Sequence, residues 1–257
     1  MIPLTCKKSK GKKRKKSCLK KSTCTKCQQK CLKKCLKKCK KKSLKDYTKV
    51  TIGVPKPDGV KNLPANMYFY LHKSFTDKQQ QRIKDAIKSV LLKWYDHFNQ
   101  KWDGGTNAGT SKLALCTNLY ATKIFKPVWS KSPVSNAIAA TNLAMNQITQ
   151  LIRDNGFEKS PPATIDPQSL TTIYAPTAST KRRVPLSLRI NPKQLDSSAL
   201  SDLKLTGSIL HAWLHRAGWT DPKTTSYFIS ECPMCVMRNY KSKDPDVRDS
   251  NSYKFFD

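Results

Sequence analysis

The sequence predicts an α+β domain, residues 46–257, behind a low-complexity basic tail, residues 1–45. Three observations carry this. The tail holds 19 Lys, one Arg and no acidic residue, so it supplies +20 of the net charge of +32. Like charges at that density repel, and the segment has little apolar surface to bury, so it is expected to be a solvated, disordered arm. From Tyr47 onward, apolar residues recur at periods of two and of 3.6, the marks of strands and amphipathic helices. The chain beyond the tail is also long enough for one sizeable core.

The elements follow in order. VTIGVPKPDGVKNLPAN (Val50 to Asn66) is punctuated by Pro and Gly and reads as a lead-in. MYFYLHKSF (Met67 to Phe75) is dense in aromatics and reads as a strand. Thr76 and Gln79 have capping-box spacing and open a long helix to about Phe98. Its buried stripe is Ile83, Ile87, Val90, Leu91, Trp94, Tyr95 and Phe98. His72 and His97, in this region, read as ordinary structural or surface histidines. DGGTNAG (Asp103 to Gly109) is a loop, and LALCTNLYATKIF (Leu113 to Phe125) reads as a strand pair or an irregular strand. Ser132-Pro133 opens a second long helix, with proline at its first position, that stops at Gly156. SPPATIDP (Ser160 to Pro167) reads as a loop, and Thr171 to Tyr174 and Val184 to Ile190 read as strands.

The stretch LTGSILHAWLHRAGW (Leu205 to Trp219) carries the most chemistry. It reads as a helix that begins near Ser197 or Ser198 and ends at Gly218. His211 and His215 are four residues apart, so their rings project from neighbouring turns on one side. Asp221 follows three residues after Gly218. Two imidazoles and a returned carboxylate can supply three ligands to a zinc ion and leave a fourth position open. A histidine pair at this spacing is otherwise an ordinary feature of amphipathic helices.

The pattern His211-x-x-x-His215-x-x-Gly218-x-x-Asp221 resembles the helix motif of the metzincin zinc peptidases, H-E-x-x-H-x-x-G-x-x-H, or Asp at the last place. The resemblance implies a zincin-like domain with a mixed sheet, a long N-terminal helix and a zinc-motif helix. It implies one zinc ion on His211, His215 and Asp221. It implies that Val184 to Ile190 is the edge strand bordering a cleft that takes extended peptide. It also implies a methionine in a tight turn beneath the metal, which Met237 resembles, with Met234 as runner-up. One departure governs function: the family's general-base Glu is Ala212 here. General acid–base help contributes roughly 10²- to 10⁴-fold to such reactions, and alanine cannot accept a proton. The nearest acids in sequence are Asp221, committed to the metal, and Glu231.

Ten cysteines are divided unevenly. Seven lie in the tail, where Cys27, Cys31, Cys35 and Cys39 repeat every four residues among lysines, which lower thiol pKa values. The domain holds Cys116, Cys232 and Cys235. Cys232-Pro233-Met234-Cys235 is a CxxC, but it follows the zinc-motif helix, which argues against a thioredoxin-like site. A disulfide tying this turn, with Cys116 as a candidate partner, is expected, with one of the three left unpaired or shared with the tail.

The run Lys12, Lys13, Arg14, Lys15, Lys16 is the densest part of a polyanion-binding segment. Its partners by charge are nucleic acid, acidic polysaccharide, an anionic membrane surface or a silica-like mineral. The tail has no aromatic residue to stack on bases, which disfavours specific single-strand binding. Family resemblance and cysteine usage favour secretion. MIPLTCKKSK shows no secretory signal, KKRKK fits a nuclear-import patch, and no stretch approaches a membrane span. Three function classes follow. The first is a zinc-binding peptidase homologue, weakly active or inactive, that holds peptide and uses its tail as a polycationic anchor. The second is an inactivated or atypical form of a true zinc endopeptidase. The third is a structural, polyanion-binding protein that uses the domain as a scaffold.

Overall fold

Strand β2 (Asn66–His72) is the spine of the sheet. Met67, Phe69 and Leu71 are fully buried on one face, while Tyr68, Tyr70 and His72 are half-buried on the other. That alternation is the period of a strand packed on one side only. A computed structural model describes residues 44–102, 109–178, 184–220 and 224–256, and Asp46–Asp257 form one compact unit. The described residues form a mixed α+β fold of five strands and seven helices.

The sheet order is β1-β2-β3-β5-β4. Strand β1 (Tyr47–Gly53) pairs antiparallel with β2, so the expected lead-in begins as a strand. Strand β3 (Ala163–Pro167) lies parallel to β2, with Phe69 opposite Ala163 and Leu71 opposite Ile165. This segment was expected as a loop. It is a strand because Ala163 and Ile165 fill an interior position that only the tertiary pairing defines. Strand β5 (Leu188–Ile190) is parallel to β3, and β4 (Ile173–Tyr174) is antiparallel to β5. On this side the sheet ends at β4, which corrects the expectation that Val184 to Ile190 is an edge strand: β5 has a neighbour on each side. Pro185 lies before the ladder, and its carbonyl accepts from Arg216 Nε at 2.8 Å.

Three helices connect β2 to β3. Helix α1 (Asp77–Lys101) starts at Thr76 with both bonds of the capping box in place, and buries the expected stripe with Tyr95 only partly covered. Helix α2 (Lys112–Tyr120) replaces the strand expected from Leu113. Leu113, Ala114, Cys116 and Thr117 are buried on one helical face, while Leu115 and Leu119 are exposed, so apolar residues on both sides hid the period of 3.6. Helix α3 (Ala137–Gly156) begins four residues after Pro133, because Asn136 supplies the cap by accepting from Ala139 N at 2.8 Å. Asn155 ties α3 to β2 through both backbone groups of Tyr68.

A short helix α4 (Pro192–Leu195) leads into α5 (Asp202–Arg216), the helix of the histidine motif. Ser201 caps it, three to four residues later than the sequence suggested. Arg82 of α1 donates to the carbonyls of Leu195 and Leu200 and so fixes where α5 begins. Trp213 stacks on Phe69 at 6.3 Å, which seats α5 under the sheet. Helices α6 (Phe228–Met237) and α7 (Ser250–Tyr253) complete the fold. None of the described helices is long and apolar enough to cross a membrane.

Candidate metal centre

The end of α5 is built as a Schellman motif. Gly218, at φ +96°, donates to His215 O at 2.9 Å, and Trp219 N donates to Leu214 O at 3.0 Å. A non-glycine residue is strained at that angle. Space is also closed, because a Cβ there would lie 2.5 Å from Trp129 Nε1. The turn returns the Trp219 carbonyl to the helix, where it stands 3.0 Å from His215 Nδ1. Thr177 Oγ1 is also 3.0 Å from that nitrogen. The chain beyond edge strand β4 thus runs alongside the motif, and Ala178 N donates to His215 O at 3.0 Å.

His211 is oriented from the other side. Its Nδ1 lies 3.0 Å from Ile229 O in the first turn of α6. In a regular helix that carbonyl would accept from the N–H four residues on, but that residue is Pro233, which has none. The proline therefore leaves Ile229 O available to the imidazole. Helices α5 and α6 come close at Gly207, one turn before His211, where a Cβ would meet Met237 Cγ at 2.5 Å.

The two rings are perpendicular, with Nε2 of His211 3.2 Å from Nε2 of His215. They are almost wholly buried, at 0% and 4% exposure. Carbonyl oxygens only accept, so each Nδ1 that bonds one carries its proton, a tautomer assigned from the network. The spacing of the two Nε2 atoms fits a shared zinc ion. Two Zn–N bonds of about 2.0–2.1 Å at a tetrahedral angle place the nitrogens about 3.4 Å apart. The Nδ1–carbonyl pairing is the usual outer-shell arrangement of zinc histidines.

Asp221 and the run Lys12, Lys13, Arg14, Lys15, Lys16 lie outside the described residues. Among the described residues, no group of three or more His, Cys, Asp or Glu side chains gathers to hold a metal. Ala212 is 1% exposed, so α5 brings no carboxylate beside the histidines at that position. Glu231, the acid next considered, is fully buried on α6 and already engaged. It accepts from Ser226 N at 3.1 Å, pairs with Lys243 Nζ at 3.0 Å and stands 3.7 Å from Arg238. Met237 was expected in a tight turn but is the last residue of α6; the turn follows at Asn239 and Tyr240, both with positive φ. Met234 is fully buried one turn earlier.

Cys116 of α2 is bonded to Cys235 of α6, and Cys232 is a free, buried thiol. Burial pushes the Cys232 thiol up to about 12, against a smaller opposing effect of a Thr117 hydrogen bond, so this CxxC has no reactive thiolate at neutral pH. His72 bonds Ser74 at the end of β2. His97 is buried on α1 against Ser111 Oγ at 2.7 Å, and burial, aided by Lys101, depresses it to about 3.

Two contributors escaped the sequence reading. Pro233 had a local signal, a proline inside an apolar helical run, but its consequence needs the partner helix. Phe256 had none: its ring lies flat on His211 at 4.2 Å and 1°. Comparison with protein-family models, curated proteins and solved structures gave no match to this chain.

Proposed function

We propose that residues 46–257 are a zinc-binding homologue of the metzincin peptidases that lacks their general base, and that the basic tail anchors it to anionic partners. The observation that carries the metal reading is the histidine pair: two Nε2 atoms 3.2 Å apart, with each Nδ1 on a backbone carbonyl. His211 and His215 would hold the ion, with Asp221 as the third ligand by resemblance to the family motif. Bound zinc supplies a Lewis acid and lowers the pKa of its water. The chain's own groups hold the imidazoles and exclude solvent, while Ala212 stands where the family has Glu and Glu231 is paired with Lys243. Binding, rather than cutting, is what this arrangement supports, with extended peptide as the ligand class and β4 as the edge it would follow.

Zinc content per chain tests this, on wild type and on the His211→Ala/His215→Ala double variant, each checked for folding by circular dichroism. One zinc per wild-type chain and none in the variant is the expected result. A folded wild type that carries no zinc after dialysis against a zinc-containing buffer would end the metal reading.

A further inference from the structure

The histidine pair is covered by the chain's own C-terminal segment, and the way that cover is attached points to a regulatory role. Phe256 is 3% exposed, stacks flat on His211 and receives the edge of Tyr253 at 5.3 Å. Phe255 is equally buried, with Lys204 Nζ of α5 4.9 Å above its ring. At the other end, Lys243 Nζ bridges Glu231 of α6 at 3.0 Å and Asp249 of the segment itself at 2.8 Å. Between these anchors the segment 244–254 has no buried residue. A stretch with few buried side chains, Tyr253 alone of residues 244–254 packing on the core, belongs to the part of a fold that opens at low cost while the rest stays intact.

We propose that residues 243–256 form a self-inhibitory strap, with Phe256 seated on His211 and Lys243–Asp249 as its latch, so that ligand reaches the site only when the strap lifts. This rests on the zinc reading for what lies beneath, but not for the covering itself. The strap also states what the site accepts: an aromatic side chain laid on the face of the His211 imidazole. A peptide of that chemistry would compete with it.

The test uses the full, zinc-loaded chain and an excess of the chromogenic chelator pyridylazoresorcinol. Release passes through the open form, so its rate follows the population of that form. Phe256→Ala removes one aromatic stack and should speed release by roughly tenfold at unchanged zinc stoichiometry. Asp249→Ala loosens the latch while leaving Lys243 on Glu231. It should speed release by about two- to fivefold, as expected for a partly exposed pair. It also carries the comparison if the first variant does not fold. Equal rates in wild type and the folded variants would overturn the strap. If wild type binds no zinc, the zinc reading fails by itself, and carbethoxylation of His211 and His215 by diethyl pyrocarbonate, mapped by mass spectrometry, decides the strap instead. Faster labelling in the variants supports it, and equal labelling overturns it.

Discussion

At the scale of single residues, the site depends on a missing hydrogen as much as on the groups present. Pro233 has no N–H to give Ile229 O, and that carbonyl is the one that orients His211. Pro233→Ala restores the donor and removes the ring's crowding of the carbonyl, an interior-helix effect of about 3 kcal/mol. Helix α6 should gain stability, while Ile229 O becomes shared between the helix and the imidazole. Loss of one outer-shell partner costs roughly 10- to 100-fold in metal affinity. The expected result is zinc affinity lower by about that factor, measured by chelator competition, with a zinc-free unfolding midpoint unchanged or raised. Unchanged affinity would show that the Ile229 carbonyl does not orient a ligand. The histidine pair was legible in the sequence because four residues in one helix fix two side chains relative to each other. The role of Pro233 was not, because it acts through Ile229 O, 18 residues from His211, by the packing of α6 on α5.

At the scale of elements, what the sequence revealed depended on whether one element carried its own signal. Helix α1 has a capping box and a one-sided stripe over 25 residues, and both are local. Helix α2 exposes Leu115 and Leu119 opposite a buried face, so its pattern has no clear period. Strand β3 is interior only because β2 and β5 flank it, and β5 was expected at an edge only by resemblance to the metzincins, not from a signal of its own. Gly218 is the case where local signal and site coincide. At φ +96° it ends α5 and sends Trp219 O back to His215. Gly218→Ala places a Cβ in a left-handed position that costs about 1–2 kcal/mol, and sets it against Trp129 besides. Thermal unfolding should show a loss of at least that size, and zinc affinity should fall with it because His215 loses its orienting carbonyl. A stable variant with wild-type zinc affinity would mean that the turn does not position the ring.

At the scale of the whole molecule, the sequence divides charge more clearly than it reveals topology. The parallel pairing of β2 with β3 spans three helices, and no local pattern announces it. Charge needs no fold to be read: residues 1–45 contribute +20 and the other residues +12. If the tail is the polyanion anchor, its binding is dominated by counterion release, and the logarithm of affinity falls linearly with the logarithm of salt. A chain making six to ten phosphate or sulfate contacts would lose roughly 10³- to 10⁵-fold in affinity between about 50 and 200 mM salt. The full chain and a chain lacking residues 2–45 should therefore differ in slope as well as strength when titrated with duplex DNA or heparin. The expected result is a steep slope for the full chain and a shallow one, with far weaker binding, after the deletion. Duplexes of different sequence should give the same slope, because backbone charge rather than base edges is being read. Equal slopes before and after deletion would move the polyanion site onto the domain, leaving the lysine- and cysteine-rich tail without the role assigned to it.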